Sequence, residues 1–83
     1  MNMFHYVYVL QNGNNELRTG YTLDLSRRLV EHNQEPAVPG RSWRVIYCEA
    51  YLHLSDAMRR AVYLKSINGA KLIKQKLRKY LWR

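Results

Sequence analysis

The sequence is poor in the residues that build disulfide scaffolds and membrane spans. It contains one cysteine, Cys48, among 83 residues, so no internal disulfide can form and a disulfide-stapled secreted domain is excluded. No apolar run approaches the roughly 20 residues needed to cross a bilayer. The apolar start, MNMFHYVYVL, lacks the basic region and small-residue cleavage site of a signal peptide. We therefore expect a cytoplasmic protein.

Acidic side chains are also scarce. Six Asp and Glu residues stand against 14 Lys and Arg, and the formal net charge is +8. All six acids lie at or before Asp56, whereas residues 59–83 carry nine basic residues and no acid. A charge this large bears on partners and solubility rather than on fold, and it favours an anionic polymer. We expect nucleic acid as the partner, DNA ahead of RNA, and no membrane. A basic face that only keeps the protein in solution, or one that binds another protein, is the alternative.

Apolar residues, by contrast, are plentiful at 47% of the chain. That composition is typical of a globular protein, and a chain of this length has room for one core. Alternating large apolar residues predict three strands, at residues 4–10, 16–21 and 43–52. We expect Tyr8 and Val7 to point to opposite faces of the first strand.

Helices are predicted at residues 24–33, 55–66 and 70–81 from apolar spacing and helix-capping residues. The expected N-terminal caps are Thr22 or Asp24 for the first helix and Ser55 or Asp56 for the second, and the expected break before the third helix is at Asn68 and Gly69.

A loop is predicted at residues 33–42, which contain Pro36, Pro39 and Gly40. The order of elements is then β-β-α-β-α-α within a single domain, residues 1–83. This is an α/β (α+β) fold with a small three-stranded antiparallel sheet flanked by three helices.

The segment RTGYTLDLSRRLVEHN contains a specific spacing. Arg28 lies eight residues after Gly20, and His32 lies four residues beyond Arg28. With YVY at residues 6–8 and RTG at residues 18–20 standing for two tripeptide motifs, the chain resembles the GIY-YIG nuclease family. The resemblance extends over about residues 6–81 and is closest to short stand-alone members, which are similar to the N-terminal nuclease domain of an excinuclease.

The resemblance implies an endonuclease that hydrolyses phosphodiester bonds of DNA with Mg²⁺ or Mn²⁺. By the same resemblance, Tyr8 would orient or deprotonate the attacking water, Arg28 would hold the transition-state phosphate, and His32 would assist proton transfer. Packing within the strand is the alternative role for Tyr8. For His32 the alternative is to complement the helix dipole.

Further residues are predicted to contact the substrate because they are basic or carry a hydroxyl group near the motifs. On the third helix the basic ones follow one face and would line a phosphate backbone. The predicted contact residues are Arg18, Tyr21, Arg27, Lys65, Lys71, Lys74 and Arg78.

Two positions depart from the family pattern. Ala61 stands where relatives carry the metal-binding Glu, and Arg18 stands where the second tripeptide has Tyr. An oxygen-ligand site for Mg²⁺ normally uses at least one carboxylate, so metal binding should be weak. If Arg18 and Arg28 converge, they form a metal-free phosphate clamp, and the alternative function is a nucleic-acid-binding module that does not cut. Ala61 is either natural or a laboratory substitution, and the sequence alone leaves both explanations open.

Overall fold

A computed structural model describes residues 3–34 and 42–82. Its elements are, in chain order, β1 (His5–Gln11), β2 (Leu17–Thr22), α1 (Leu25–His32), β3 (Arg44–Tyr51), α2 (Leu54–Lys65), α3 (Ile67–Lys76) and α4 (Arg78–Leu81). The predicted α+β fold with a three-stranded antiparallel sheet is confirmed. The loop predicted from Pro36, Pro39 and Gly40 lies outside the described residues.

The sheet has the strand order β2-β1-β3, and both pairings are antiparallel. The central strand β1 places Tyr8 opposite Gly20 of β2 and Cys48 of β3. Between Val9 and Leu10 the register with β3 shifts, which indicates a bulge in that pairing. Tyr8 therefore lies in the middle of the sheet, with a partner strand on each side.

The hydrophobic core lies on one face of this sheet. Side chains alternate along a strand, so Val7 and Val9 point to the face opposite Tyr8. The helices α2 and α3 cover the valine face, and the buried core cluster comprises Val7, Val9, Ala57, Ala61, Leu64 and Ile73. Tyr8 is also buried, with 2% of its surface exposed, but it lies outside that cluster.

A polar network borders the core face. The carboxylate of Glu49 on β3 accepts hydrogen bonds from Arg60 of α2, at 2.8 and 3.0 Å, and from the hydroxyls of Tyr47 and Tyr51. Burial on its own would raise the pKa of Glu49, but these donors outweigh it and hold the pKa at about 2. The charged pair ties α2 to the strand beneath it.

The junction between α2 and α3 differs from the sequence prediction. Asn68 and Gly69 do not separate the two helices, because Ser66 caps α3 and both residues fall in its first turn. The Ser66 Oγ accepts from the Gly69 N–H at 3.1 Å. A Cβ at Gly69 would lie 2.0 Å from the Tyr63 carbonyl oxygen, so glycine lets α3 start directly against the end of α2. The cap was stronger than the break signal.

Two other helix ends also correct the prediction. The N-cap of α2 is His53, not Ser55 or Asp56, because the His53 Nδ1 accepts from the Ser55 N–H at 3.0 Å. The predicted third helix is divided at Leu77 into α3 and the single turn α4. Within the described ranges, no helix has the length and apolar character needed to cross a membrane.

Candidate active site

Tyr8 occupies a space that only glycine leaves free. A Cβ built on Gly20, its partner on β2, would lie 2.3 Å from the Tyr8 hydroxyl oxygen and 2.6 Å from Cζ. The phenol ring therefore lies against the bare backbone of β2, as glycine permits. This close approach fixes the direction in which the hydroxyl points.

The helix α1 brings two side chains to that hydroxyl. Arg28 and His32 are four residues apart and thus project from one face of the helix. The Tyr8 oxygen lies 3.3 Å from the Arg28 Nε and 3.3 Å from the His32 Nε2. Asp24 caps the helix by accepting from the Arg27 N–H at 3.0 Å, which orients its first turn. The three residues assigned to catalysis from the sequence thus meet at one atom.

The polarity of this contact follows from the donors available. Arg28 has only donors, so the Tyr8 oxygen accepts its Nε–H. Burial lowers the pKa of His32, and the charges of Arg28 and Arg18 lower it further. His32 is then neutral at neutral pH and accepts at Nε2 the proton that Tyr8 donates. The result is a directed chain from Arg28 through Tyr8 to His32.

Arg18 and Trp43 extend the site beyond His32. The guanidinium carbon of Arg18 lies 4.9 Å from the centroid of the Trp43 ring, in cation–π contact. The rings of Trp43 and His32 are 6.4 Å apart between centroids. Sequence analysis assigned Trp43 only to a strand. Its place in the site depends on the packing of β3 beside α1, for which the sequence contains no local signal.

The start of β3 is held to the end of α1 by one side chain. The Asn33 Oδ1 accepts from the Trp43 N–H at 2.7 Å, and the Asn33 Nδ2 donates to the Trp43 carbonyl at 3.0 Å. Both bonds go to backbone atoms of Trp43. The indole ring is therefore positioned without being needed for the connection.

Tyr21 does not join the site. It lies on the face of β2 opposite Arg18 and Gly20, as its odd offset from position 18 requires. Its hydroxyl is 2.8 Å from the Nδ1 of His5, and its side chain packs against the core cluster. Its hydroxyl thus does not compensate for the Tyr missing at position 18.

The remaining basic residues are exposed and do not line the Tyr8 hydroxyl. Arg27 extends from α1 with 78% of its side chain exposed, 3.9 Å from the carboxylate of Glu31. The others lie on the helices that cover the opposite face of the sheet or follow them, and these are Lys65, Lys71, Lys74 and Arg78. They form a surface separate from the site rather than its wall.

The side chains around Tyr8 do not match what a divalent cation requires. The carboxylate near the site belongs to Glu31, which is 3.4 Å from Arg28 and already paired with it. In the described part of the chain, no group of three His, Cys, Asp or Glu side chains is placed to hold a metal. Ala61 is 4% exposed and lies in the core cluster with Val7 and Val9. Mg²⁺ and Mn²⁺ prefer oxygen ligands, so the donor set of phenol, imidazole and guanidinium does not fit them.

Comparison with known proteins gives a consistent set of relatives. The chain is similar to the UPF0213 protein of Staphylococcus haemolyticus, with 31% identity over 74 residues, which cover 84% of this chain and 90% of the relative. It is also similar to the UPF0213 proteins of Natronomonas pharaonis, at 35% identity over 81% of this chain and 84% of the relative, and of Streptococcus agalactiae, at 36% identity over 81% and 82%. No family model matches the chain, and no solved structure matches it significantly. Relatives at this identity that span most of both chains show that the chain belongs to the UPF0213 family.

Proposed function

We propose that the protein is a GIY-YIG-type phosphodiesterase that hydrolyses nucleic acid, with DNA as the first expected substrate, at the Tyr8 hydroxyl. One observation carries the proposal: the Tyr8 oxygen lies 3.3 Å from both the Arg28 Nε and the His32 Nε2. A cation, a hydroxyl and a proton acceptor meet there, and phosphodiester hydrolysis uses these groups. The net charge of +8 supports a polyanionic substrate.

In the proposed reaction, a water oxygen attacks phosphorus while the Tyr8 oxygen takes the proton of that water. Tyr8 passes its own proton to the Nε2 of His32, which is free to accept it because the pKa of His32 is lowered. The bond from phosphorus to the leaving oxygen breaks, and the proton on His32 returns to that oxygen through solvent. One water is consumed, and a phosphate monoester and a hydroxyl are formed.

Arg28 carries the electrostatic part of this proposal. Its guanidinium is held by Tyr8 and faces the position where a phosphate would meet the hydroxyl, and Arg18 supplies a second positive charge on the other side of His32. Loss of one preorganised charge stabiliser typically costs about 100- to 1000-fold in rate. Because the donor set does not fit a divalent cation, arginine is the main source of positive charge, and we expect slow cleavage.

Binding without cleavage is the second candidate function. It is favoured by Ala61, since that residue lies in the core where the family pattern expects a ligating Glu. Two arginines beside a phenol bind a phosphate without activating a strong nucleophile. Affinity should then fall with salt, with a log–log slope of about −0.9 for each duplex phosphate neutralised.

Nicking of supercoiled plasmid DNA tests the first proposal. Wild type should nick at the same slow rate in EDTA and in Mg²⁺. Tyr8→Phe and Arg28→Ala should each lower the rate by about 100-fold or more. Arg59→Ala is the matched control, because it removes one positive charge from a side chain that is 79% exposed on α2. Its rate should match that of wild type.

The outcomes separate the two candidates. If wild type does not nick but binds DNA in a salt-dependent way that Arg28→Ala weakens, the binding function replaces hydrolysis. Cleavage that requires Mg²⁺ would contradict the assignment of the positive charge to arginine. If Arg28→Ala and Arg59→Ala behave alike in both assays, the Tyr8 site has no role in either activity.

A further inference from the structure

Trp43 lies beside the Tyr8 site in a position that the hydrolysis itself does not use. Arg18 covers one side of its ring at 4.9 Å, and the His32 ring is 6.4 Å away and tilted by 55°. The indole is partly exposed. It therefore presents a large aromatic surface directly next to the residues proposed to bind a phosphate.

The anchoring of Trp43 gives no reason for a tryptophan at this position. Asn33 holds the backbone N–H and the carbonyl of residue 43, and these atoms are the same for any non-proline residue. The indole is also absent from the core cluster and from the hydrophobic residues packed against it. The ring is thus fixed in place while remaining available to a ligand.

We propose that Trp43 is a stacking platform for an unpaired nucleobase whose phosphate binds at the Tyr8 site. The inference rests on the proposed function, because it takes the phosphate position from it. The base takes the place of the Arg18 guanidinium on the indole, since both groups are planar and stack on aromatic rings. Arg18, which is exposed, then turns to the phosphate beside Arg28.

The stacking defines the class of substrate. A base inside a duplex is covered by its neighbours on both sides and has no free face to offer. Bases that are single-stranded, looped out or frayed have a free face and stack on aromatic side chains irrespective of sequence. We therefore expect the site to select unpaired nucleotides over continuous duplex.

Oligonucleotides with and without bases test this proposal separately from phosphate binding. Trp82 is 80% exposed, so a Trp82→Phe parent leaves Trp43 as the one fluorescent tryptophan. The parent is titrated with single-stranded oligothymidylate and with an abasic oligomer of equal length. The oligothymidylate should quench Trp43 and bind about 5- to 150-fold more tightly than the abasic oligomer. An oligouridylate titration shows whether the site takes RNA as well as DNA.

Substitutions in the parent separate stacking from folding. Trp43→Leu should remove the preference for the base-bearing oligomer, and Trp43→Phe should keep most of it. Both variants should bind the abasic oligomer like the parent, which would also show that they are folded. Arg28→Ala should weaken both oligomers by the same factor, because it acts on the phosphate.

Equal affinity of the parent for the two oligomers would overturn the proposal. So would a Trp43→Leu variant that loses affinity for the abasic oligomer as strongly as for the other. If binding depends on Arg28 but ignores the bases, the stacking platform alone is refuted. If none of the oligomers binds, the phosphate site fails and the stacking platform fails with it.

Discussion

Gly20→Ala should disable the site through a single added methyl group. The new Cβ would lie 2.3 Å from the Tyr8 oxygen, whereas ordinary van der Waals contact begins at 3.4 Å, so the phenol must move by about 1 Å. The two hydrogen bonds of that oxygen are already 3.3 Å long, and such a displacement breaks them. Misplacing a reacting group by about 1 Å typically costs on the order of 100-fold in rate.

The same clash should lower stability. Added volume in a packed position costs about 1–3 kcal/mol, and Tyr8 is buried in the central strand, where it has little room to move. Denaturant unfolding measures the free energy of unfolding, and plasmid nicking measures the rate. For a slow enzyme, loss of DNA binding that depends on Arg28 gives a second measure.

A double-mutant cycle decides whether the effect passes through Tyr8. In a Tyr8→Ala background the ring is absent, so Gly20→Ala should cost little further stability and should not change the remaining activity. If Gly20→Ala costs the same in both backgrounds, its effect comes from the backbone of β2. The contact between Gly20 and Tyr8 would then have no special role.

Three further predictions concern charge. Arg18→Ala should raise the pKa of His32, whereas Arg18→Lys should keep it low; an unchanged pKa in an NMR titration would separate the two side chains. Glu49→Gln should be less stable than wild type above about pH 4.5, and the two should converge as the pH falls toward 2, because the folded pKa of Glu49 is about 2 against an ordinary 4.5. Unfolding curves that differ equally at every pH would refute this. Ala61→Glu should be less stable than Ala61→Gln, increasingly so as the pH rises above about 4, because burial opposes ionisation. A Tm of the Glu variant that rises with added Mg²⁺ would instead mean that its carboxylate reaches a cation.

Local patterns in the sequence were enough to predict the sheet and the centre of the site. Alternation along β1 separates Tyr8 from Val7, and the fixed spacing after Gly20 places Arg28 and His32 on one helical face. These signals lie within single elements or adjacent ones. For that reason they survive into the folded structure, where the three side chains share one oxygen atom.

Other features depend on contacts between distant elements and could not be predicted. Glu49 and Arg60 pair across eleven residues and two elements, and neither has a motif that indicates the other. Trp43 enters the site only because β3 packs beside α1. The break expected at Gly69 was wrong for a different reason: two signals competed, and the cap at Ser66 set the start of α3.

The clasp of Asn33 on the backbone of Trp43 has a consequence for how the protein tolerates change. It joins two points ten residues apart in the sequence, so the positions of His32 and Trp43 do not depend on the length of chain between them. Lengthening a closed loop costs little, about 0.6 kcal/mol for each doubling. We expect peptide insertions between these two points to leave the site geometry intact, and this interval is the place to attach a tag or a second domain.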